Sequence, residues 1–451
     1  MGVTLSVLGN PERAIKATRS RCPVCLAEVP ADIVESRGRV LMRKRCVAHG
    51  PFEVQLAKDP RFYYDSRGAA NACCGGSACC APTPQTGAAP TMEAISTCIA
   101  LIEIVDTCNL KCPTCFAGSP WGVGKDVQCT PFEKFVERVQ GVIDRKGEIE
   151  ILQLSGGEPT IHPEFFRLLD WALAHARIGY VLINTNAVRI AGDARFRADL
   201  AQRRRERGKF ELYVQFDGVQ EAGQVDLRGE DLRALRERAI DSAGAEGVPS
   251  TLAMVLSPAT LPHAGEALRF GLSRRHCRGI VFQPMFTSGR VSSGSIPLQG
   301  NAGPHVISVG DTIHALTQQC PDLLKPEDFT PLPCGDPNCH TISYLLRLRE
   351  GTAALGSLVD LASLQGFLQD RVNYRMEDLA QCGCDNQPLA DLLKAMELGP
   401  DAPFRVFIKP FMDAWTFDQD RIDRCCTHVI RKDGSLDSFC RYYLAGGGTA
   451  C

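Results

Sequence analysis

Between residues 98 and 290 the chain alternates apolar runs of strand length with amphipathic runs of helix length, a rhythm that leaves few folds open. The strand-like runs are Ile99 to Val105, Ile149 to Leu154, Gly179 to Ile183, Phe210 to Phe216, Thr251 to Leu256 and Gly279 to Phe282. Helix patterns fill the gaps, for example Pro131 to Arg145, Pro163 to Arg177 and Asp231 to Ala245. Such alternation predicts an α/β fold with a parallel sheet and helices outside, either doubly wound or rolled up. Six units point to a partial (β/α)6 barrel, in which chemistry gathers where the strands end at their C-terminal edge.

The strand ends carry chemistry. The first runs into Cys108-Asn109-Leu110-Lys111-Cys112-Pro113-Thr114-Cys115, a C-x3-C-x2-C loop. Three thiolates on one loop suit an iron–sulfur cluster, and a four-iron cubane ordinarily takes four, so one iron is left open. The plainer alternative is a structural zinc loop completed by a distant residue. The second strand ends in Ser155-Gly156-Gly157-Glu158-Pro159, where Gly156 and Gly157 permit close backbone approach to a ligand and the carboxylate of Glu158 suits an ammonium group. Asn186, Gln215, Asp217 and Gln283 close the third, fourth and sixth strands. Each alone is an ordinary helix cap; together they form a wall able to recognise ribose hydroxyls, a carboxylate or an adenine edge.

The 22 cysteines are the main departure in composition, and most of them stand in short clusters. In residues 1–65, Cys22 and Cys25 precede an alternating stretch and Cys46 and His49 follow it, a small ribbon for one tetrahedral iron or zinc ion. Either His49 or a later cysteine completes that set. Residues 66–97 are rich in Ala, Gly, Pro and Cys; Cys74, Cys79 and Cys80, with neighbouring Cys73, join Cys98 as possible donors to an auxiliary cluster. Residues 291–451 hold Cys334, Cys339, Cys425, Cys426 and Cys440, enough for a further cluster. The aromatic run Phe404 to Phe417 reads as core before substrate channel. Fifty basic against fifty-two acidic side chains supply no bulk attraction for nucleic acid. With no apolar run of spanning length, a cytoplasmic protein keeping its thiolates for metal is expected.

Cys108-x3-Cys112-x2-Cys115 followed by Gly156-Gly157-Glu158-Pro159 and six strand/helix units resembles the radical S-adenosylmethionine (SAM) superfamily over roughly residues 98–290. The resemblance implies a 4Fe-4S cluster on Cys108, Cys112 and Cys115 whose open iron binds SAM. It also implies reductive cleavage to a 5'-deoxyadenosyl radical that abstracts hydrogen from an unactivated carbon, with an external one-electron donor such as flavodoxin or ferredoxin. Gly156, Gly157 and Glu158 would meet the methionyl amine, and Asn186, Gln215, Asp217 and Gln283 would line the pocket.

The flanks, including Cys22-Pro23-x-Cys25, Lys44-Arg45-Cys46-x2-His49-Gly50 and Arg424-Cys425-Cys426-x-His428, are similar to the archaeal tetraether-lipid synthase group, earlier labelled pterin methylases. That likeness implies a mononuclear iron near the N-terminus, auxiliary 4Fe-4S clusters and carbon–carbon coupling or alkylation of a lipid-like or other small substrate. Methylation of a small heterocycle is the alternative reaction, and an iron–sulfur redox carrier the alternative of another class. Here the second cysteine segment departs from the group's pattern, being stretched by Pro84 to Pro90 with its cysteines doubled.

Overall fold

The computed structural model describes residues 12–64, 92, 95, 97–291, 303–332, 335–358 and 401–445. Cys74, Cys79, Cys80 and Cys334, assigned above as metal donors, lie outside the described residues.

The alternating N-terminal stretch forms strands. β1 (Arg13–Arg21), β2 (Glu28–Ser36), β3 (Arg39–Cys46) and β4 (Gly50–Ala57) make an antiparallel meander in chain order. In β3, Val40, Met42, Lys44 and Cys46 face inward while their neighbours stay accessible, the period-two pattern of a half-buried strand. Tight turns after β1 and β3, with Leu26 and Gly50 at positive φ, bring the two cysteine knuckles to one end.

β5 (Ile99–Val105), β6 (Ile149–Gly156), β7 (Ile178–Thr185), β8 (Phe210–Gln215), β9 (Ser250–Leu256) and β10 (Cys277–Pro284) pair in parallel and in sequence order. Helices cover the outside. α1 (Phe132–Lys146) turns Phe135, Val139, Val142 and Ile143 onto the sheet and ends at Gly147, whose φ of +86° suits glycine. α2 (Phe165–Ala174) buries Phe165, Leu168, Leu169, Ala172 and Leu173 in the same way.

The boundary expected at residue 290 divides one sheet. Strand Pro403–Ile408 pairs with β10 in parallel, Thr341–Leu348 adds to it antiparallel, and Thr427–Ile430 pairs with β5 in parallel. Both edges of the six-stranded unit are thus capped by the C-terminal segment, because open edges demand hydrogen-bond partners. The aromatic run divides too. Phe404, Val406, Ile408 and Phe417 are core, Trp415 enters the ribbon core beside Phe52, and Phe407 and Phe411 line the central cavity.

Ribbon and C-terminal segment are locked together. Lys16 pairs with Asp418 at 2.7 Å with both side chains buried, and the Lys44 ammonium donates to the carbonyls of Ala414 (2.6 Å) and Trp415 (2.7 Å). Among the described residues, no helix is long and apolar enough to cross a membrane.

Candidate active site

β5 ends where the cysteine loop begins, and β6 ends against the root of that loop. The amide of Gly157 donates to the Val105 carbonyl (2.7 Å) and that of Glu158 to the Thr107 carbonyl (3.1 Å). A Cβ at Gly157 would stand 1.9 Å from the Thr107 carbonyl oxygen, and one at Gly156, where φ is +117°, 2.1 Å from that of Val105. Their glycines were expected to admit a ligand. They permit close approach to the backbone of the cysteine loop, and both also border the cavity.

The loop is held from several sides. Cys108 receives the amide of Gly122 on its carbonyl at 3.0 Å and donates its own amide to Pro120 at 2.8 Å. Asn186 donates to Asn109 Oδ1 at 2.7 Å and towards Cys108 Sγ at 3.7 Å, and Arg290 donates to the Cys112 carbonyl at 2.6 Å. Cys108 is buried while Cys112 and Cys115 are half-buried. Burial, then Glu158, then the neighbouring thiols push the Cys108 thiol up to about 12. Arg228 and Arg236 act on Cys112, whereas the Cys108 thiol is raised by burial and by Glu158 and is suited to a metal cluster, which supplies positive charge.

All three cysteines open onto a cavity of about 230 Å³ inside the barrel. Glu158 lies in its wall, fully buried. Its carboxylate accepts from Thr160 Oγ1 (2.6 Å), Thr185 Oγ1 (2.9 Å) and the Asn186 amide (2.7 Å), and among the described residues no cation pairs with it. Burial raises its pKa against the pull of those hydrogen bonds. A buried anion with donors but no counter-charge calls for a cationic ligand.

Gln215 and Gln283 line the cavity as expected by position, the latter donating to Tyr213 Oη at 2.8 Å. Asp217 does not line it. It stands behind the wall with φ of +59°, bound by Arg228 Nε at 2.6 Å and Arg236 Nη1 at 3.1 Å, and these two arginines hold it at about 2 despite its burial. The cations, not the carboxylate, face the cavity. Arg236 is fully buried there, and among the described residues its Nε and Nη2 have no hydrogen-bond partner. Spacing gave no signal for Arg228 or Arg236, since each lies within or beside a helix far from any recognised motif; the acid at the strand end was the only clue.

An aromatic wall borders the loop. Phe116, directly after Cys115, lies 6.0 Å from Phe286 and 5.7 Å from Phe439 between ring centres, and Phe411 stacks on Phe439 at 4.3 Å. At the far end, Glu211 binds Arg405 at 3.0 Å and Thr251 at 2.8 Å, closing the barrel floor with a neutralised polar cluster.

Two further thiol groups are assembled. In the ribbon, the ligand atoms of Cys22, Cys25, Cys46 and His49 all lie within 4.8 Å of one another. Three sulfurs and one imidazole suit tetrahedral zinc or iron. The hydrogen bond from His49 draws the Cys46 thiol down to about 6. Replacing Cys46 by Ser should remove one equivalent of metal per chain without touching the iron–sulfur absorption, as elemental analysis would show.

The second group fills the seam where Thr427–Ile430 meets β5. Cys98 and Cys426 share one buried cluster, the Cys98 amide donating to the Cys426 carbonyl at 3.0 Å. Cys339, Cys425 and Cys440 gather around Arg421 and Lys409, and with Cys426 they make four buried or half-buried thiols; Cys98, expected as a cluster donor, is instead disulfide-bonded here and offers no free thiol.

A parallel partial barrel with a three-cysteine loop, a buried carboxylate that no cation pairs with among the described residues and a largely apolar cavity suits a thiolate-bound metal cluster beside a cationic ligand. Residues 102–270 match the model of the radical SAM superfamily, a family of enzymes that uses a 4Fe-4S cluster and SAM. Residues 14–58 match the HMPTM N-terminal zinc ribbon domain. The chain is 25% identical to 7,8-dihydro-6-hydroxymethylpterin dimethyltransferase of Methanocaldococcus jannaschii, over 95% of this chain and 93% of that protein. It is 30% identical to the mycofactocin maturase MftC of Mycobacterium ulcerans over 32% of this chain and 36% of that one. Similarity to the GTP 3',8-cyclase of Mannheimia succiniciproducens is 26% identity over 29% of this chain and 36% of that protein.

Proposed function

We propose that this enzyme abstracts hydrogen from an unactivated carbon of an apolar, lipid-like or other small substrate and couples or alkylates that carbon. When bound, the cluster and SAM supply the 5'-deoxyadenosyl radical through one-electron reductive cleavage. The observation that carries the reading is Glu158, a fully buried carboxylate that pairs with no cation among the described residues and shares a cavity with the three loop thiols.

Cys108, Cys112 and Cys115 hold the cluster, Cys108 against the Asn186 amide. Glu158 receives the methionyl ammonium. Arg236 offers its Nε and Nη2 to the methionyl carboxylate, with Arg228 and Asp217 fixing its position. Gln215 and Gln283, at the ends of β8 and β10, are placed to meet the nucleoside. The aromatic wall of Phe116, Phe286, Phe411 and Phe439 receives the carbon skeleton and keeps water from the radical. In the ribbon, Cys22, Cys25, Cys46 and His49 hold one iron or zinc ion, and the seam thiols take an auxiliary cluster. The electron comes from an external carrier such as flavodoxin or ferredoxin, and the enzyme works in the cytoplasm.

Methylation of a small heterocycle is the second reading, favoured by the similarity to a pterin dimethyltransferase along almost the whole chain. Reconstituted, reduced enzyme incubated with SAM separates them. Hydrogen abstraction yields 5'-deoxyadenosine, rising with an acyl or isoprenoid substrate; methyl transfer adds S-adenosylhomocysteine and a methylated pterin. Absence of 5'-deoxyadenosine under all conditions overturns the first reading.

A further inference from the structure

Positive charge accompanies both thiol sets, but at the loop Arg228 and Arg236, which act on Cys112, are paired with Asp217, whereas Lys409 and Arg421 at the seam lack such a direct partner among the described residues. Lys409, half-buried at the end of strand Pro403–Ile408, borders the cavity. Its ammonium lies over the Phe411 ring at 5.3 Å, 3.4 Å from Thr427 Oγ1, and within electrostatic reach of Cys339, Cys425, Cys426 and Cys440. Arg421 approaches from the other side, donating towards Cys339 Sγ at 3.5 Å and to the Pro410 carbonyl at 3.1 Å, with its Nε lacking a hydrogen-bond partner among the described residues. A third cation, Arg424, is neutralised by Asp336 at 2.8 Å. Among the described residues, neither Lys409 nor Arg421 forms a direct ion pair with a carboxylate, although Asp336 acts on Arg421 at longer range and Glu150 on Cys426.

Two half-buried cations without direct carboxylate partners among the described residues, set beside a group of thiols, favour an anionic group in the space between them. A cluster ligated by several thiolates is such a group, and the donor chemistry fits it. Adding an electron makes the cluster more negative by one charge, which nearby half-buried cations stabilise because solvent screens them only in part. Net charge and hydrogen bonds to sulfur are the protein's means of setting such potentials.

We propose that Lys409 and Arg421 raise the reduction potential of an iron–sulfur cluster on the seam thiols, so that this cluster accepts an electron before the one on the Cys108 loop does. The inference rests on the proposed seating of a cluster on thiols drawn from Cys339, Cys425, Cys426 and Cys440. In the step itself an external one-electron carrier is oxidised and the cluster gains that electron; no bond breaks and no proton moves. Because Lys409 and Cys426 border the same cavity as Cys108, the seam cluster is placed to exchange electrons across the substrate space.

The full-length chain, reconstituted anaerobically, is titrated electrochemically with electron paramagnetic resonance as the readout. The loop cluster is the one whose signal changes when SAM is added; the seam cluster is the one missing from C339S/C440S. In K409M the seam cluster should titrate at a lower potential, lower still in K409M/R421M and unchanged in K409R, while the loop cluster stays where it was. The proposal is overturned by an unshifted seam cluster in K409M, by an equal drop in K409R, by a shift confined to the loop cluster, or by loss of the seam cluster from K409M. If C339S/C440S keeps all its iron, the seating itself fails, whatever Lys409 does.

Discussion

Glu158→Gln is expected to weaken SAM binding by between about 30-fold and a few thousand-fold while leaving the iron content at the wild-type level. The range is the cost of removing one partner from a buried, hydrogen-bonded charge pair, about 2–5 kcal/mol, taken at 1.4 kcal/mol per factor of ten. The carboxylate is fully enclosed and its donors are all neutral: two threonine hydroxyls and the amides of Thr160 and Asn186. They orient it without neutralising it. An incoming ammonium supplies the missing charge, and the glutamine amide would both lose that charge and turn an N–H against donors. Equilibrium binding of SAM to the reconstituted variant, with iron counted in parallel, checks it. Wild-type affinity in Glu158→Gln would remove the proposed role, whereas loss of iron would show that Glu158 supports the cysteine loop.

Asp217→Asn should lower stability by about 3–5 kcal/mol, the effect of breaking a buried ion pair by removing one partner. Asp217 neutralises two arginines at once, with Arg236 fully buried and Arg228 nearly so. Without it, two cations remain in a low-dielectric wall. For a unit of barrel size this corresponds to a fall of roughly 6–20 °C in Tm, measurable by calorimetry on the apo protein. The double variant Asp217→Asn with Arg236→Gln should recover part of the loss, because it removes one of the stranded charges. A like substitution at Glu35, whose pair with Arg13 is solvent-exposed, should cost less than about 1 kcal/mol. Equal effects at the two sites would mean that the arginine pair is not held as the geometry indicates.

Both expectations show how unevenly the site is written along the chain. Cys108, Cys112, Cys115 and Glu158 were legible because each sits in a compact local motif whose residue types have few other uses. Asp217 was legible as a polar strand end, yet its role was misplaced. A carboxylate at the end of β8 can point into the cavity or behind it, and only the approach of Arg228 and Arg236 from outside the strand decides which. For the glycines, the period of the strand placed them at the barrel mouth, but that the space beside them is taken by the Val105 and Thr107 carbonyls depends on how β5 and β6 pair.

From sequence alone came the alternation of strand and helix, the parallel sheet it requires, the three-thiolate loop and the two-knuckle ribbon. Each is a local property: side-chain period, turn residues and short-range ligand spacing act between residues close in the chain. Tertiary structure alone decided that Pro403–Ile408 and Thr427–Ile430 complete the barrel sheet, that Trp415 closes the ribbon core, and that Lys409 and Arg421 stand among the seam thiols. These contacts join segments far apart in the chain, and they form because open sheet edges, a large indole and half-buried charges must each find partners. No short stretch of sequence records which distant segment will provide them.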